Sequence, residues 1–304
     1  MNLREIEYFV SVAELGHFGK AADKCCVTQP TLSGQLKKLE DELGQPLFDR
    51  NTRSVSLTSF GEEAFVIAKK IMYEFNNFQQ LSEQINDPFS GELKLGAFPT
   101  LCPWLFPKLA PFFKKTYPLT HFLLIEEKSP VLSKMLEDGE IDAAILAIPD
   151  GGKGIEMLPL FSEPFYALVF ENHPWAHRKK IPTEDLENQK LLLLEDGHCL
   201  RNQALDLCHK YGGDEEGTFR ATSLETLRQM VRLEQGITLI PQLAVPEIEE
   251  SNLKYIPFST TDARRDIGIF FRSTHPKKKF FEDFAHQIHG LCGNILPAKA
   301  LVSA

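Results

Sequence analysis

The 304-residue chain is short of several things, and each shortage narrows the possibilities. No apolar run approaches the roughly 20 residues that a membrane-spanning helix needs. The opening residues, Met1-Asn2-Leu3-Arg4-Glu5-Ile6-Glu7, lack the apolar stretch of a secretory signal. A cytoplasmic protein without a membrane partner is expected, in a compartment where thiols stay reduced. Positive charge is scarce: 33 Lys and Arg stand against 42 Asp and Glu, a formal net charge of −9. The first 87 residues are acidic too, with 9 basic and 13 acidic side chains. Any DNA contact must therefore come from where the charges sit, not from their total. No nucleophile–base pair or complete metal motif is present, so neither enzyme activity nor a cofactor is expected. Gly151-Gly152-Lys153-Gly154 is a fragment of a phosphate loop without the full spacing or the following Ser/Thr, and reads as a surface turn. Six cysteines are too few, in a reducing cell, to read as a disulfide framework. They leave metal binding, catalysis, redox sensing or burial.

The rest is ordinary: 43% hydrophobic and 25% charged residues, enough chain for two or three domains. Ile6, Phe9, Val10 and Ala13 recur at helical spacing and Gly16 ends the first helix. A second short helix runs from about Phe18 to Cys25. A tight turn follows, then a third helix from near Pro30 to Gly44, with Thr28 as its cap. Two short helices across a tight turn make a helix-turn-helix pattern. Residues 47–58 read as two short strands about a polar turn, a wing. From about Ser59 to Asn86 a long helix carries Ala64, Ile67, Ile71, Glu74, Phe78, Leu81 and Ile85 at steps of three and four, a heptad seam. A seam with no partner in the chain implies a second chain. The alternative is that the helix packs on its own domain.

After Asp87-Pro88-Phe89-Ser90-Gly91 the pattern alternates. Strands are expected at 92–96, 122–126 and 143–148 and helices at 105–117 and 131–138, which implies a mostly parallel sheet. A strand at 165–170 crosses to a second lobe. That lobe takes strands near 190–194, 219–221 and 237–239 and a helix at 223–234 capped by Ser223. A strand at 267–272 and a helix at 279–291 return to the first lobe. The domains expected are 1–58, 59–87 and 91–304, with lobe I at about 91–162 and 268–304 and lobe II at about 163–267. A cleft between two lobes is the default small-molecule site.

One pair of cysteines stands out. Between Cys199 and Cys208, Gln203, Ala204, Leu205 and Leu207 favour a helix and no Gly or Pro interrupts. Nine helical residues span roughly 13 Å, whereas a disulfide needs Cα atoms within about 7 Å. If this stretch is helical when reduced, the two thiols cannot bond until it unwinds. Two other readings compete. They are two unrelated buried thiols, or a metal set of His198, Cys199, Cys208 and His209, although adjacent His-Cys dipeptides poorly present both members to one ion. Of Cys25 and Cys26, one is expected in the core and the other half exposed. Cys102 and Cys292 are expected buried.

The run Phe18-Gly19-Lys20-Ala21-Ala22-Asp23-Lys24, then Val27-Thr28-Gln29-Pro30-Thr31-Leu32-Ser33, Leu39-Glu40-Asp41-Glu42-Leu43-Gly44 and Pro46-Leu47-Phe48 resembles the LysR-type transcriptional regulators. The resemblance spans the chain. It implies an α/β effector domain, two-lobed and periplasmic-binding-protein-like, preceded by an all-α winged helix-turn-helix domain and a long linker helix. Ser33-Gly34-Gln35, Gly197-His198-Cys199-Leu200-Arg201, Cys208 and Phe219-Arg220-Ala221-Thr222-Ser223-Leu224-Glu225-Thr226-Leu227 resemble the peroxide-sensing OxyR branch. That branch implies hydrogen peroxide as effector, Cys199 as the thiol that attacks it and Cys208 as the thiol that closes a disulfide, with Thr100, Ser129 and His198 around the peroxide. Ser129 stands where the family has Thr, Asn202 where it has Asp, and Thr218 where relatives have His. The implied partners are double-stranded promoter DNA, further copies of the chain in a dimer or tetramer, and RNA polymerase. The rival within the family is a metabolite coinducer in the cleft. A rival of another class is a two-lobed binding protein or transferase, which would leave the N-terminal 87 residues without a purpose.

Arg201 is expected in the peroxide pocket with Thr100, Ser129 and His198, and two local features are expected to favour the Cys199 thiolate: the charge of Arg201 and the N-terminus of the helix. On DNA, Gln29, Pro30, Thr31, Ser33 and Gln35 are expected at base edges, and Lys20, Lys24, Lys37, Lys38, Arg50 and Arg53 at phosphates. Glu40, Asp41 and Glu42 are expected to face away from the duplex.

Overall fold

The computed structural model describes residues 1–49, 55–84, 89–148, 152, 154–187, 189–212, 214–248 and 250–295. They form two compact units: Met1–Asn86 with Asp138–Glu140, and Asp87–Glu137 with the chain from Ile141 onward.

In the first unit, α1 (Leu3–Leu15) begins at Asn2, whose side chain accepts the Glu5 N–H while Glu5 accepts the Asn2 N–H. This reciprocal cap satisfies two otherwise unpaired donors. α1 ends at Gly16, which takes φ 58, a conformation that glycine adopts without steric cost. α2 (Phe18–Lys24) and α3 (Gln29–Leu43) flank the expected turn, with Thr28 capping α3 and Pro30 in its first turn. β1 (Phe48–Asp49) and β2 (Ser56–Leu57) pair antiparallel as a wing. α4 (Ser59–Gln84) follows. Phe9, Val12, Leu32, Leu36 and Leu39 make the core, with the Phe9 ring edge-on to Phe48 at 5.6 Å.

One face of α4, carrying Phe65, Ala68 and Met72, packs on this core. Ala64 of the expected seam also packs on this core, but Ile67, Ile71 and Phe78 lie on another face, 60%, 37% and 72% exposed. The Ile85 end of the seam and the side chain of Leu81 lie outside the described residues.

In the second unit β3 (Gly91–Ala97), α5 (Cys102–Thr116), β4 (Thr120–Glu126), α6 (Ser129–Asp138) and β5 (Ala143–Ile148) alternate. Then come β6 (Ile155–Phe170), β7 (Lys190–Leu194), α7 (Cys199–Tyr211), β8 (Asp214–Ala221), α8 (Leu224–Arg232), β9 (Thr238–Pro241), β10 (Leu253–Pro257), β11 (Arg264–Arg272) and α9 (Lys278–Ile295). β4, β3 and β5 lie side by side and parallel. β11 then pairs antiparallel with both β5 and β6, and the far end of β6 takes β9 and β10, also antiparallel. β7 and β8 form a separate parallel pair.

The sheet is therefore mixed, not mostly parallel, because β6 and β11 cross between lobes and run back. β6 starts ten residues earlier than expected. Pro159 and Pro164 hide its first part in the sequence, since proline cannot donate to a ladder. The strand accommodates Pro159 where its register against β11 slips between Ile267 and Gly268. β10 was not expected at all. Two cores fill the unit. One lies under β3, β5 and β11 and takes Phe280, Phe281 and Phe284 from α9. The other lies under the far end of β6 and takes Leu191–Leu194, Leu200, Leu207 and Cys208.

A prediction concerns the join of wing and long helix. A Cβ on Gly61 would sit 2.1 Å from the Leu47 carbonyl oxygen. Gly61→Ala should lower the stability of the first unit by about 1–3 kcal/mol, read as a lower urea midpoint. An unchanged midpoint would mean that α4 and the wing separate without cost.

Candidate functional site

A cavity of about 510 Å³ opens between the two cores. Its wall comes from the C-terminal ends of parallel strands and the helices after them: Thr100 and Trp104 beyond β3, Glu126 and Lys128 beyond β4, Glu195 and His198 beyond β7, and Ser223 beyond β8. Ligand crevices in α/β folds collect at such ends because the loops there converge. Of the residues expected around a peroxide, Thr100 and His198 line this wall. Ser129 follows Lys128 and opens α6.

Two polar atoms here are buried without a hydrogen-bond partner, Ser129 Oγ and His198 Nε2. Burial, and then the charge of Lys128, push the His198 imidazole below its ordinary value. At neutral pH it is the uncharged ring that faces the site. Thr100 is buried and anchored. Its Oγ1 accepts from Arg265 Nη1 and its carbonyl from Nη2, each at 2.9 Å. The Arg265 guanidinium also pairs at 2.7 Å with Glu163, whose other oxygen accepts the Leu243 N–H. Arg265 and Glu163 are both fully buried. Because Thr100 Oγ1 already accepts, its own hydroxyl proton is left to donate elsewhere.

α7 starts at Cys199, with His198 as N-cap, and ends at Gly212. Both cysteines are thiols, and they belong to different cores. Cys199 is half-buried against the first core, and Cys208 is buried in the second. Cys199 sits in the first helical turn, where the backbone N–H groups and helix dipole favour an anion. Arg201 has a different setting from that expected. Its Nη1 and Nη2 donate to Glu215 at 2.7 and 2.9 Å, its Nε donates to Asp196 at 2.9 Å, and Nη1 also reaches the Leu194 carbonyl. Two carboxylates offset its charge, so it ties the start of α7 to β8 instead of standing as an open cation. Cys102 is buried, and desolvation with the charge of Glu126 pushes its thiol up to about 12, which keeps it unreactive.

With this geometry in view, comparison with known proteins is decisive. Residues 3–62 match the bacterial regulatory helix-turn-helix protein family of lysR type, and residues 86–292 match the LysR substrate binding domain. The chain belongs to the LysR family. Among its relatives is the Escherichia coli K12 DNA-binding transcriptional dual regulator OxyR, 43% identical over 289 residues, covering 95% of each chain. Among solved structures, a full-length OxyR variant from Pseudomonas aeruginosa superposes with TM-score 0.78 at 35% identity, covering 95% of this chain and 98% of that one. An H2O2-bound OxyR mutant from Corynebacterium glutamicum gives 0.67 at 34% identity, covering 96% and 93%.

The start of α3, where base contacts are expected, is largely exposed. Gln29, Pro30 and Thr31 are exposed, and Ser33 and Gln35 are half-buried. The Thr31 hydroxyl pairs with that of the cap Thr28 at 2.8 Å. Lys38, expected at a phosphate, reaches the buried Glu5 at 3.0 Å and Glu42 at 3.7 Å. Lys24 pairs with Glu14 at 2.9 Å. Lys20 and Lys37 are exposed, and among the described residues no ion pair holds either. Arg50 and Arg53 lie outside the described residues. Glu40 turns inward, where it accepts the Leu47 and Phe48 N–H groups and staples the wing to α3. Cys25 packs against the core with its thiol on Ser11 Oγ at 3.3 Å, while Cys26 is exposed. The side chain of Cys292 lies outside the described residues.

Reading the sequence missed Arg265, Glu163, Lys128 and Glu195. Their partners are up to 165 residues away, and no local pattern announces such pairs.

The anchor of α7 gives a pH prediction. Hydrogen bonds from Arg201, working against burial, and from Arg220 hold Glu215 at about 2, below its usual 4.5. A carboxylate depressed by folding stabilises above its unfolded value and loses that contribution as pH falls through the folded one. Stability of the α7–β8 region should therefore decline from about pH 4.5 toward 2, read by amide exchange. Glu215→Gln should flatten that decline, and an equal decline in the variant would contradict the anchor.

Proposed function

We propose that this chain is a DNA-binding transcription regulator, not an enzyme, that senses hydrogen peroxide in the cytoplasm by forming a Cys199–Cys208 disulfide and activates oxidative-stress genes. The observation that carries the reading is the placement of the two thiols at opposite ends of one continuous helix, packed into different cores. The matched relatives named as OxyR support the effector.

In the reduced state Cys199 attacks a peroxide held by the Thr100 hydroxyl proton, Ser129 Oγ and His198 Nε2, the last two being buried groups that lack partners. The sulfur–oxygen bond forms, the oxygen–oxygen bond breaks and hydroxide leaves as water. Cys208 then displaces the oxygen from the sulfenic acid, giving the disulfide and a second water. α7 must unwind for this step, since nine helical residues hold the thiols roughly 13 Å apart. Magnitudes constrain what replaces it. Closing so short a loop yields about 3 kcal/mol on chain entropy. Leu200 and Leu207 are buried in α7, and exposing them would cost about 1.5–3 kcal/mol each. The oxidised segment must therefore rebury part of that surface, and the reduced and oxidised folds are close in free energy.

In this reading residues 1–58 bind promoter DNA through the start of α3 and the wing, residues 59–87 dimerise along the exposed Ile67, Ile71 and Phe78 seam, and 91–304 sense. Lobe I is about 91–162 and 268–304, and lobe II about 163–267. Few uncommitted positive charges per subunit favour a dimer or tetramer that multiplies phosphate contacts, with RNA polymerase as the further partner.

Two experiments test this. Thiol mass spectrometry after micromolar peroxide should find the Cys199–Cys208 bond in the full-length protein together with a changed promoter footprint. Cys199→Ser and Cys208→Ser should show neither; a missing bond or an unchanged wild-type footprint would remove the sensor. For the seam, Ile71→Asp combined with Phe78→Asp should lower the sedimenting mass and weaken promoter binding at least ten-fold. An unaltered mass would place the oligomer contact elsewhere.

A further inference from the structure

The turn that leads into the redox helix is gripped from across the cleft. Lys128, at the end of the β4 loop, donates through Nζ to Glu195 Oε1 and, at 3.3 Å, to the Asp196 carbonyl. Its stem lies against Gly197, where a Cβ would come within 3.1 Å of Lys128 Cδ. Gly197 itself holds φ +90, a conformation that disfavours any side chain. Asp196 is also held from lobe II, its carboxylate reaching Arg201 at 2.9 Å and Arg220 at 3.5 Å. Lys128 thus touches three consecutive residues just before His198 and Cys199, and the middle one, Asp196, is held from the other side as well. Lys128 makes the contacts that come from the β4 side.

We propose that Lys128 is a positioning residue of the switch: it clamps the 195–197 turn in the reduced fold and so slows disulfide closure. The inference rests on the sensor reading above. Closure moves Cys199 toward Cys208, which drags this turn and strips Lys128 of Glu195, the Asp196 carbonyl and its seat on Gly197. Attack on peroxide needs no such motion. The chemistry of closure balances on its own. Cys208 sulfur bonds to Cys199 sulfur, the sulfur–oxygen bond of the sulfenic acid breaks, and the departing hydroxide takes a proton to leave as water. Lys128 and Glu195 are each about a third exposed, 35% and 38%. Solvent screens such a pair, so its removal changes a rate by a factor of two to five, roughly, not by orders of magnitude.

The test uses the full-length protein as wild type, Lys128→Met and Lys128→Arg. It is run near pH 8, above the ordinary imidazole value of about 6.5, so that His198 is neutral in all three. Rapid mixing with peroxide, with a sulfenic-acid trap in one series and acid quench with thiol mass spectrometry in the other, separates the two steps. Sulfenic-acid formation is timed separately in each protein, so that closure is measured from the oxidised thiol onward. Closure should run roughly two to five times faster in Lys128→Met and at the wild-type rate in Lys128→Arg. Raised salt should speed closure more in wild type than in Lys128→Met, because the variant lacks the Lys128–Glu195 pair while both keep those of Asp196 with Arg201 and Arg220. A closure rate in Lys128→Met equal to or below wild type, with the bond forming normally, would overturn the clamp alone. Absence of the bond in wild type would overturn the sensor reading and the clamp with it.

Discussion

A helix and a sulfur–sulfur bond make incompatible demands on residues 199–208. The helix holds its two cysteines apart by about twice the distance that a disulfide tolerates, and it does so with each thiol seated in a different core. The surrounding structure can be understood from that conflict. The helix must be stable enough to keep Cys208 buried while the cell is reducing, and weak enough at its ends to yield when Cys199 is oxidised. Its start is held by polar contacts in addition to the packing of Leu200 and Cys199. Arg201, Asp196, Glu215 and Arg220 form a chain of ion pairs at the lobe II surface, and Lys128 holds the preceding turn from the other side. The Lys128–Glu195 pair, about a third exposed, is modest and sensitive to screening, whereas Arg201 is buried against Glu215.

The opposite arrangement prevails where the lobes join. Arg265 and Glu163, fully buried, pair where β6 and β11 run alongside each other, and Arg265 extends that pair to both polar atoms of Thr100. Removing either partner would strand a charge away from water, a loss of several kcal/mol. Thr100, which lines the cavity, is thus tied to a buried ion pair, whereas the turn before Cys199 is tied by the partly exposed Lys128–Glu195 pair. Cys102 marks the same contrast in reactivity. It is buried beside an acidic group, with its thiol near 12, while Cys199 is placed at a helix start.

Local chemistry made much of this legible in advance. Gly16, Thr28 with Pro30, and Ser223 announce their helix ends because capping uses nearby atoms. The β-α-β-α-β alternation is visible because strand and helix periods differ. The first ten residues of β6 were hidden, since two prolines break the alternation that a ladder normally imposes, and short β10 carried too little pattern to register. In the site, Thr100 and His198 do line one cleft, but why Thr100 can donate was invisible, because Arg265 comes from the far end of the chain. Lys38 shows the same blindness: a basic residue on α3 looks like a phosphate ligand until Glu5 of α1 is seen beside it. Sequence reveals which groups a segment offers; the tertiary pairings decide which are already engaged.

The continuity of β6 has a consequence for how a signal leaves the molecule. Two-lobed binding proteins that open like a clamshell swivel on pliable connectors. Here the connectors are two strands laced together from Arg264 opposite Pro164 to Arg272 opposite Ile155, with a buried ion pair riveted across them. Large-angle swivelling would tear that lacing, so a remodelling of 199–208 would show as altered relief on the outer skin of one lobe. In the proposed oligomer a neighbouring copy would then meet a changed contour, much as a key is read by its teeth while its shaft stays straight.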